Sequence, residues 1–179
     1  MKYYLVAVFD NNTYPNLEIM QKNVCHRYKI YKNLPILHIM LEIIDDPKLD
    51  ELDNIINNII KPYKKFKVYS SGDICFDTSF KSISLKVENK GYIVRLFRKI
   101  NEKLIWSGFK VKDKNDLYVS LANTNYPIKE LSSKEHISVC SEARSRGFNG
   151  EGKIDRIELW KSITNKKDMV VRSYELREY

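Results

Sequence analysis

The stretch Leu34-Pro35-Ile36-Leu37-His38-Ile39-Met40-Leu41-Glu42 sets a single imidazole in the middle of an apolar, strand-like run. Residues two apart in a strand share a face. Leu37, Ile39, Leu41 and Ile43 then form a core face, and Ile36, His38, Met40 and Glu42 form the other. On that reading His38 looks onto solvent, a groove or a ligand, not into the core.

A second stretch, Asp116-Leu117-Tyr118-Val119-Ser120-Leu121-Ala122, has the same pattern. Leu117, Val119 and Leu121 are core-facing, while Tyr118 and Ser120 share the opposite face. Between and around these stretches the chain alternates strand and helix patterns. Lys2 to Asp10 reads as a strand, and a helix pattern follows Pro15 through Leu17, Met20, Val24 and Tyr28. Asp46-Pro47 is expected to open the next helix, with Asp46 as N-cap and Leu49, Leu52, Ile55, Ile56, Ile59 and Ile60 as its apolar face. Short strands are expected on either side of a turn at Ser70-Ser71-Gly72-Asp73. The second half repeats the layout: a strand from Lys81, a helix from Tyr92 to Leu104, the Leu117 strand, a helix pattern from Ile128 to about Arg144, and strands at Ile154–Lys161 and Val170–Leu176. No glycine- or proline-rich linker divides the halves. The expectation is one α+β domain over residues 1–179, made of two pseudo-symmetric lobes that exchange near residues 80 and 150, with antiparallel sheets lining a central cleft and helices outside.

Composition narrows the function classes. With 43% apolar and 12% aromatic residues the chain can bury a core, and with six glycines and five prolines it does not read as disordered. No segment reads as a signal peptide or a membrane span, so a cytoplasmic protein is expected. Cys25, Cys75 and Cys140 are far apart, without a CxxC pair, which argues against zinc and against a disulfide framework. The net charge of +8 favours an anionic partner such as nucleic acid.

The two stretches, 80 residues apart from His38 to Tyr118, together with this layout resemble the two-histidine (2H) phosphoesterases, the 2'-5' RNA ligases and cyclic phosphodiesterases. That family carries two His-x-Thr/Ser motifs, one on a central strand of each lobe. The resemblance implies that one histidine acts as general base and the other as general acid on a phosphate, typically a 2',3'-cyclic or 2'-5'-linked one, while the hydroxyls hold its oxygens. It implies no metal and no cofactor, and RNA or nucleotide phosphates as partners of a monomer. An unperturbed imidazole titrates near neutrality, as such chemistry requires.

Here each motif keeps one half: His38-Ile39-Met40 lacks the hydroxyl, and Tyr118-Val119-Ser120 lacks the histidine. The catalytic candidates are therefore His38, Tyr118 and Ser120. The resemblance also puts Met40 at the substrate and Phe76 where a base would stack. Lys110, ahead of the second motif with Lys112 and Lys114, and Arg144 and Arg146 are further candidates for phosphate contact. His136-Ile137-Ser138 is a second His-x-Ser string, less well placed because its flanks read as a helix start. If active, the protein is expected to be a metal-independent phosphodiesterase or RNA ligase with weak or altered catalysis. The alternatives are a non-catalytic RNA- or nucleotide-binding module and an interaction protein on the same fold.

Overall fold

The computed structural model describes residues 1–27, 34–77, 82–112, 116–123, 150–161 and 169–178, and for residues 27, 71, 76, 77 and 123 the backbone alone. The order is β1 (Lys2–Phe9), α1 (Thr13–Arg27), β2 (His38–Asp45), α2 (Leu49–Ile60), β3 (Phe66–Asp77), β4 (Ser82–Val87), α3 (Tyr92–Trp106), β5 (Lys110–Val111), β6 (Tyr118–Asn123), β7 (Glu151–Lys161) and β8 (Val170–Glu175). The helix expected over Ile128 to Arg144 lies outside the described residues.

All the named strands join one antiparallel sheet in the order β1-β2-β6-β4-β3-β7-β8, and β1 also pairs with β7. Six strands thereby close into a barrel-like ring, with β8 continuing beyond β7 and the short β5 attached to β2. Closure removes the exposed edges that an open sheet would present.

One face of the ring carries the main core. Leu5, Ala7 and Phe9 of β1, Ile39 and Leu41 of β2, Val119 and Leu121 of β6, and Ile157 and Leu159 of β7 lie in it with the buried stripes of the helices. In α3 that stripe is Ile93, Leu96, Phe97, Ile100 and Leu104, spaced three and four apart as an amphipathic helix requires. The helix stops where Gly108 takes a positive φ of 80°. Gly108 N–H then donates to the Ile105 carbonyl at 2.9 Å and Phe109 N–H to that of Leu104 at 3.0 Å, the double bond of a Schellman stop.

Three local expectations change. Asp46 does not cap α2: it adopts a positive φ of 47°, its carboxylate accepts from the Met1 ammonium at 3.3 Å, and Lys48 stands at the N-cap without a side-chain bond. The Ser70–Asp73 turn is a bulge within a single strand, where Gly72 at φ 77° takes up the register shift between Ser70 and Ile74. Alternation in β2 also breaks. Leu5 pairs with Glu42 and Val6 with Met40, so Leu41 is an extra residue and every side chain beyond it changes face. Glu42 is therefore 1% exposed on the core side, accepting from Asn101 Nδ2 of α3 at 2.7 Å, and does not share a face with His38. Ile43 pairs with Tyr4 and is half-buried, while Ile44 is in the core.

No helix among the described residues is long and apolar enough to cross a membrane.

Candidate functional site

The opposite face of the sheet carries a separate, smaller cluster: Val6 and Val8 of β1 with Trp160 of β7, against which Tyr4, Ile36, Met40 and Met169 pack. His38 belongs to this face. It pairs with Val8 across β1, and Val8 in turn pairs with Arg156 of β7, so the three residues form one row across three strands. The next row runs Met40, Val6, Glu158.

The half-buried His38 ring is held by a hydrogen bond and by an aromatic contact. Its Nδ1 lies 2.6 Å from the Ile36 carbonyl oxygen. A carbonyl only accepts, so Nδ1 carries the proton and in the neutral ring Nε2 carries the lone pair. The edge of the ring system packs against Trp160, with centroids 4.6 Å apart and planes at 63°. Trp160 is itself fixed, because its Nε1–H donates to Glu158 Oε2 at 2.6 Å. Glu158 is 6% exposed, and its other oxygen accepts from Arg156 Nε at 2.7 Å. Arg156 Nη1 also donates to Asp155 at 3.0 Å, and Asp155 pairs with Lys65 at 2.7 Å.

The second motif arrives from β6. A single antiparallel pair, Ile39 with Val119, joins β2 to β6, and both residues are buried in the main core. Their flanking residues fall on the other face, with His38 beside Ser120 and Met40 beside Tyr118. The pairing thus brings the strand of His38 and Met40 beside that of Tyr118 and Ser120. Ser120 is half-buried and pairs with Ser84 of β4.

Tyr118 is committed to local bonds. Its hydroxyl donates to Asp116 Oδ2 at 3.3 Å, and Lys86 Nζ lies 3.2 Å from the same oxygen. Burial and the Asp116 carboxylate push the phenol above its ordinary value, against a smaller opposing effect of Lys86. At neutral pH it donates a hydrogen bond but does not accept a proton.

The remaining candidates are dispersed. Lys110 pairs with Asp45 at the far end of β2, seven residues from His38 and hence about 23 Å along the strand. Phe76 pairs with Ile83, and its side chain is outside the described set. Arg144, Arg146, Lys114 and His136 lie outside the described residues. Among the described residues no three His, Cys, Asp or Glu side chains come together in a group that could hold a metal ion. The sequence reading passed over Arg156, Glu158 and Trp160. Their signal was the alternation Arg-x-Glu-x-Trp, interleaved with core Ile157 and Leu159.

No protein-family model matches the sequence, and no curated protein is similar to it in sequence. The fold, however, is that of the two-histidine phosphoesterases. Among solved structures it is similar to LigT of E. coli complexed with 3'-AMP, at 10% identity and TM-score 0.65 over 98% of this chain and 97% of that one. TT0787 of Thermus thermophilus superposes at TM-score 0.67 with 15% identity over 99% of both chains. Usb1 of Kluyveromyces marxianus gives 0.57 with 14% identity over 98% of both. LigT complexed with ATP, NADP+ or phosphate shows the same likeness.

Proposed function

We propose that this protein is a divergent 2H phosphoesterase that binds RNA ends or nucleotides bearing 2',3'-cyclic or 2'-5'-linked phosphates, with turnover weak or altered. It acts as a cytoplasmic monomer, and its two lobes enclose the phosphate. The observation that supports this reading is the Ile39–Val119 pairing, which sets the strand of His38 beside the strand of Ser120. The complexes of LigT with 3'-AMP and with phosphate support an anionic ligand for this fold.

In hydrolysis of a cyclic phosphate, Nε2 of His38 takes a proton from the attacking water as the new P–O bond forms. Ser120 donates a hydrogen bond to a phosphoryl oxygen. The ribose oxygen leaves with the electrons of the broken P–O bond and needs a proton. In the family a second imidazole supplies it. Here the phenol of Tyr118, its proton held more tightly than usual, is a poor donor of that proton. Met40 cannot donate to the phosphate at all. Positioned acid–base groups each contribute roughly 10²–10⁴-fold, so turnover falls well below that of an intact pair. The same two losses favour, as the second reading, a binding module that holds the phosphate without turning it over.

The deciding measurement is turnover of 2',3'-cyclic nucleotides and of RNA with 2',3'-cyclic ends, beside the His38→Ala protein. Activity that disappears in the variant supports the enzyme. No activity, with binding that Ser120→Ala weakens, supports the binding module. Absence of both turnover and binding overturns the proposal and leaves an interaction protein on this fold.

A further inference from the structure

Helix α3 has a second stripe that its core packing does not use. Tyr92, Arg95, Lys99, Lys103 and Trp106 follow one another at intervals of three, four, four and three residues, and all five are exposed. Such spacing aligns them on one side of the helix. Helix α2 runs antiparallel beside this stripe: Pro62, just past its end, shares a hollow of about 350 Å³ with Tyr92, and Ile55 shares one of about 460 Å³ with Trp106. Lys99 lines both hollows, so they form one groove along the helix pair.

The ends of the groove are aromatic. Trp106 is 88% exposed and Tyr92 is 54% exposed, although large aromatic rings are ordinarily covered. Tyr92 stands 6.0 Å from the Phe66 ring and 6.4 Å from the Tyr63 ring, with the Arg95 guanidinium 5.9 Å from its own ring centre. Between the ends the charge is mainly positive. Arg95, Lys99 and Lys103 are each four residues apart, hence about 6 Å apart along the axis, and Glu102 is the sole acidic residue among those lining the hollows. Among the described residues Lys99 and Lys103 enter no ion pair.

A solvated helix face explains the three cations but not two exposed rings at the ends of the same stripe. Regularly spaced cations between open aromatic platforms suit a strand whose phosphates are regularly spaced and whose bases have exposed faces. We infer that the α2–α3 groove is a binding track for single-stranded nucleic acid, in which Arg95, Lys99 and Lys103 contact successive phosphates while Tyr92 and Trp106 stack bases. It is built from other residues than those around His38 and does not depend on any reaction there.

The test uses fluorescein-labelled decauridylate with hydroxyl ends, which offers the His38 face no terminal phosphate. Binding is followed by anisotropy in a His38→Ala/Ser120→Ala background across a salt series. Three phosphate contacts predict a slope of log K against log salt of about −2. Trp106→Ala is expected to weaken binding roughly five- to hundredfold. Arg95→Glu/Lys99→Glu/Lys103→Glu should weaken it at least tenfold more than Lys2→Glu/Lys22→Glu/Lys48→Glu, which changes net charge equally on other surfaces. The inference is overturned if the two triple variants behave alike, if Trp106→Ala binds as the parent does, or if polyglutamate displaces the RNA at equal charge concentration. That last result would mark a general polyanion or acidic-protein surface.

Discussion

His38 meets Trp160 edge to face at 4.6 Å, and the indole is anchored through Glu158 to Arg156. The imidazole is thus positioned through the indole by the Arg156–Glu158 pair, and by the Ile36 carbonyl. A ring held this way presents Nε2 in one direction. That arrangement suits the role proposed for His38, in which the ring meets a phosphate.

Restoring the missing groups tests whether the rest of the site is still in place. Met40→Thr with Tyr118→His puts a hydroxyl and an imidazole at the replaced pair. Turnover of a 2',3'-cyclic nucleotide is expected to rise at least about hundredfold over the parent. An unchanged rate at saturating substrate would mean that the spacing between β2 and β6 no longer suits the reaction.

Arg156 neutralises a carboxylate that is almost wholly buried. Arg156→Ala leaves Glu158 with one fewer donor and is expected to lower stability by about 1–3 kcal/mol. Adding Glu158→Gln removes the buried charge and should recover most of the loss. Urea midpoints of the three proteins decide this, and an unrescued double variant would show that Arg156 acts through Asp155 instead.

Gly152 is where β7 passes under the start of α1. A Cβ there would lie 2.8 Å from Thr13 Cγ2 and 3.2 Å from the Phe9 ring. Thr13 cannot simply rotate away, because its Oγ1 accepts from Lys153 N–H at 2.9 Å. Gly152→Ala is expected to cost about 1–3 kcal/mol. Thr13→Ser deletes the methyl, keeps the hydroxyl and should return part of that stability in the double variant, as read from thermal melts.

Cys25 gives a pH dependence with a definite sign. Burial against β6, where its Sγ lies 3.8 Å from the Leu121 carbonyl, raises the thiol from 9.0 to about 11. Above pH 9 the unfolded thiol loses its proton while the folded one keeps it, so the unfolded state binds fewer protons and stability falls. The loss is expected to accumulate between pH 9 and about 11. It amounts to roughly 2–3 kcal/mol. Cys25→Ala should flatten that part of the profile in denaturant titrations taken from pH 8 to 11, and an equally steep profile would assign the alkaline loss to other groups.

The helices and most strands were legible because each buries a single stripe or face. Ile93 to Leu104 at helical spacing and Leu117-x-Val119-x-Leu121 at strand spacing leave little choice. What alternation could not show was where it stops. The bulge at Leu41 arises from how β2 pairs with β1, and it moved Glu42 from the His38 face to the core. Gly72 looked like the corner of a hairpin because glycine at positive φ serves a turn and a bulge equally well. Asp46-Pro47 had the composition of a helix start, but Asp46 closes onto Met1 instead. The pattern shared by the His38 and Tyr118 stretches drew attention to both strands but not to their direct pairing in one sheet, and Arg156 and Glu158 carried no motif and became visible only through their row on β7.

The pairing of β1 with β7 also has a consequence for synthesis. Phe9 leaves the ribosome long before its partner Ile154 is made. At about 5–20 residues per second the interval is on the order of ten seconds. Throughout it the Val6–Val8 side of the first strand has β2 but not Trp160 to cover it. That apolar side is surface of the kind that leaves a partly made chain open to aggregation, and codon-level slowing before Glu151 would lengthen the exposure.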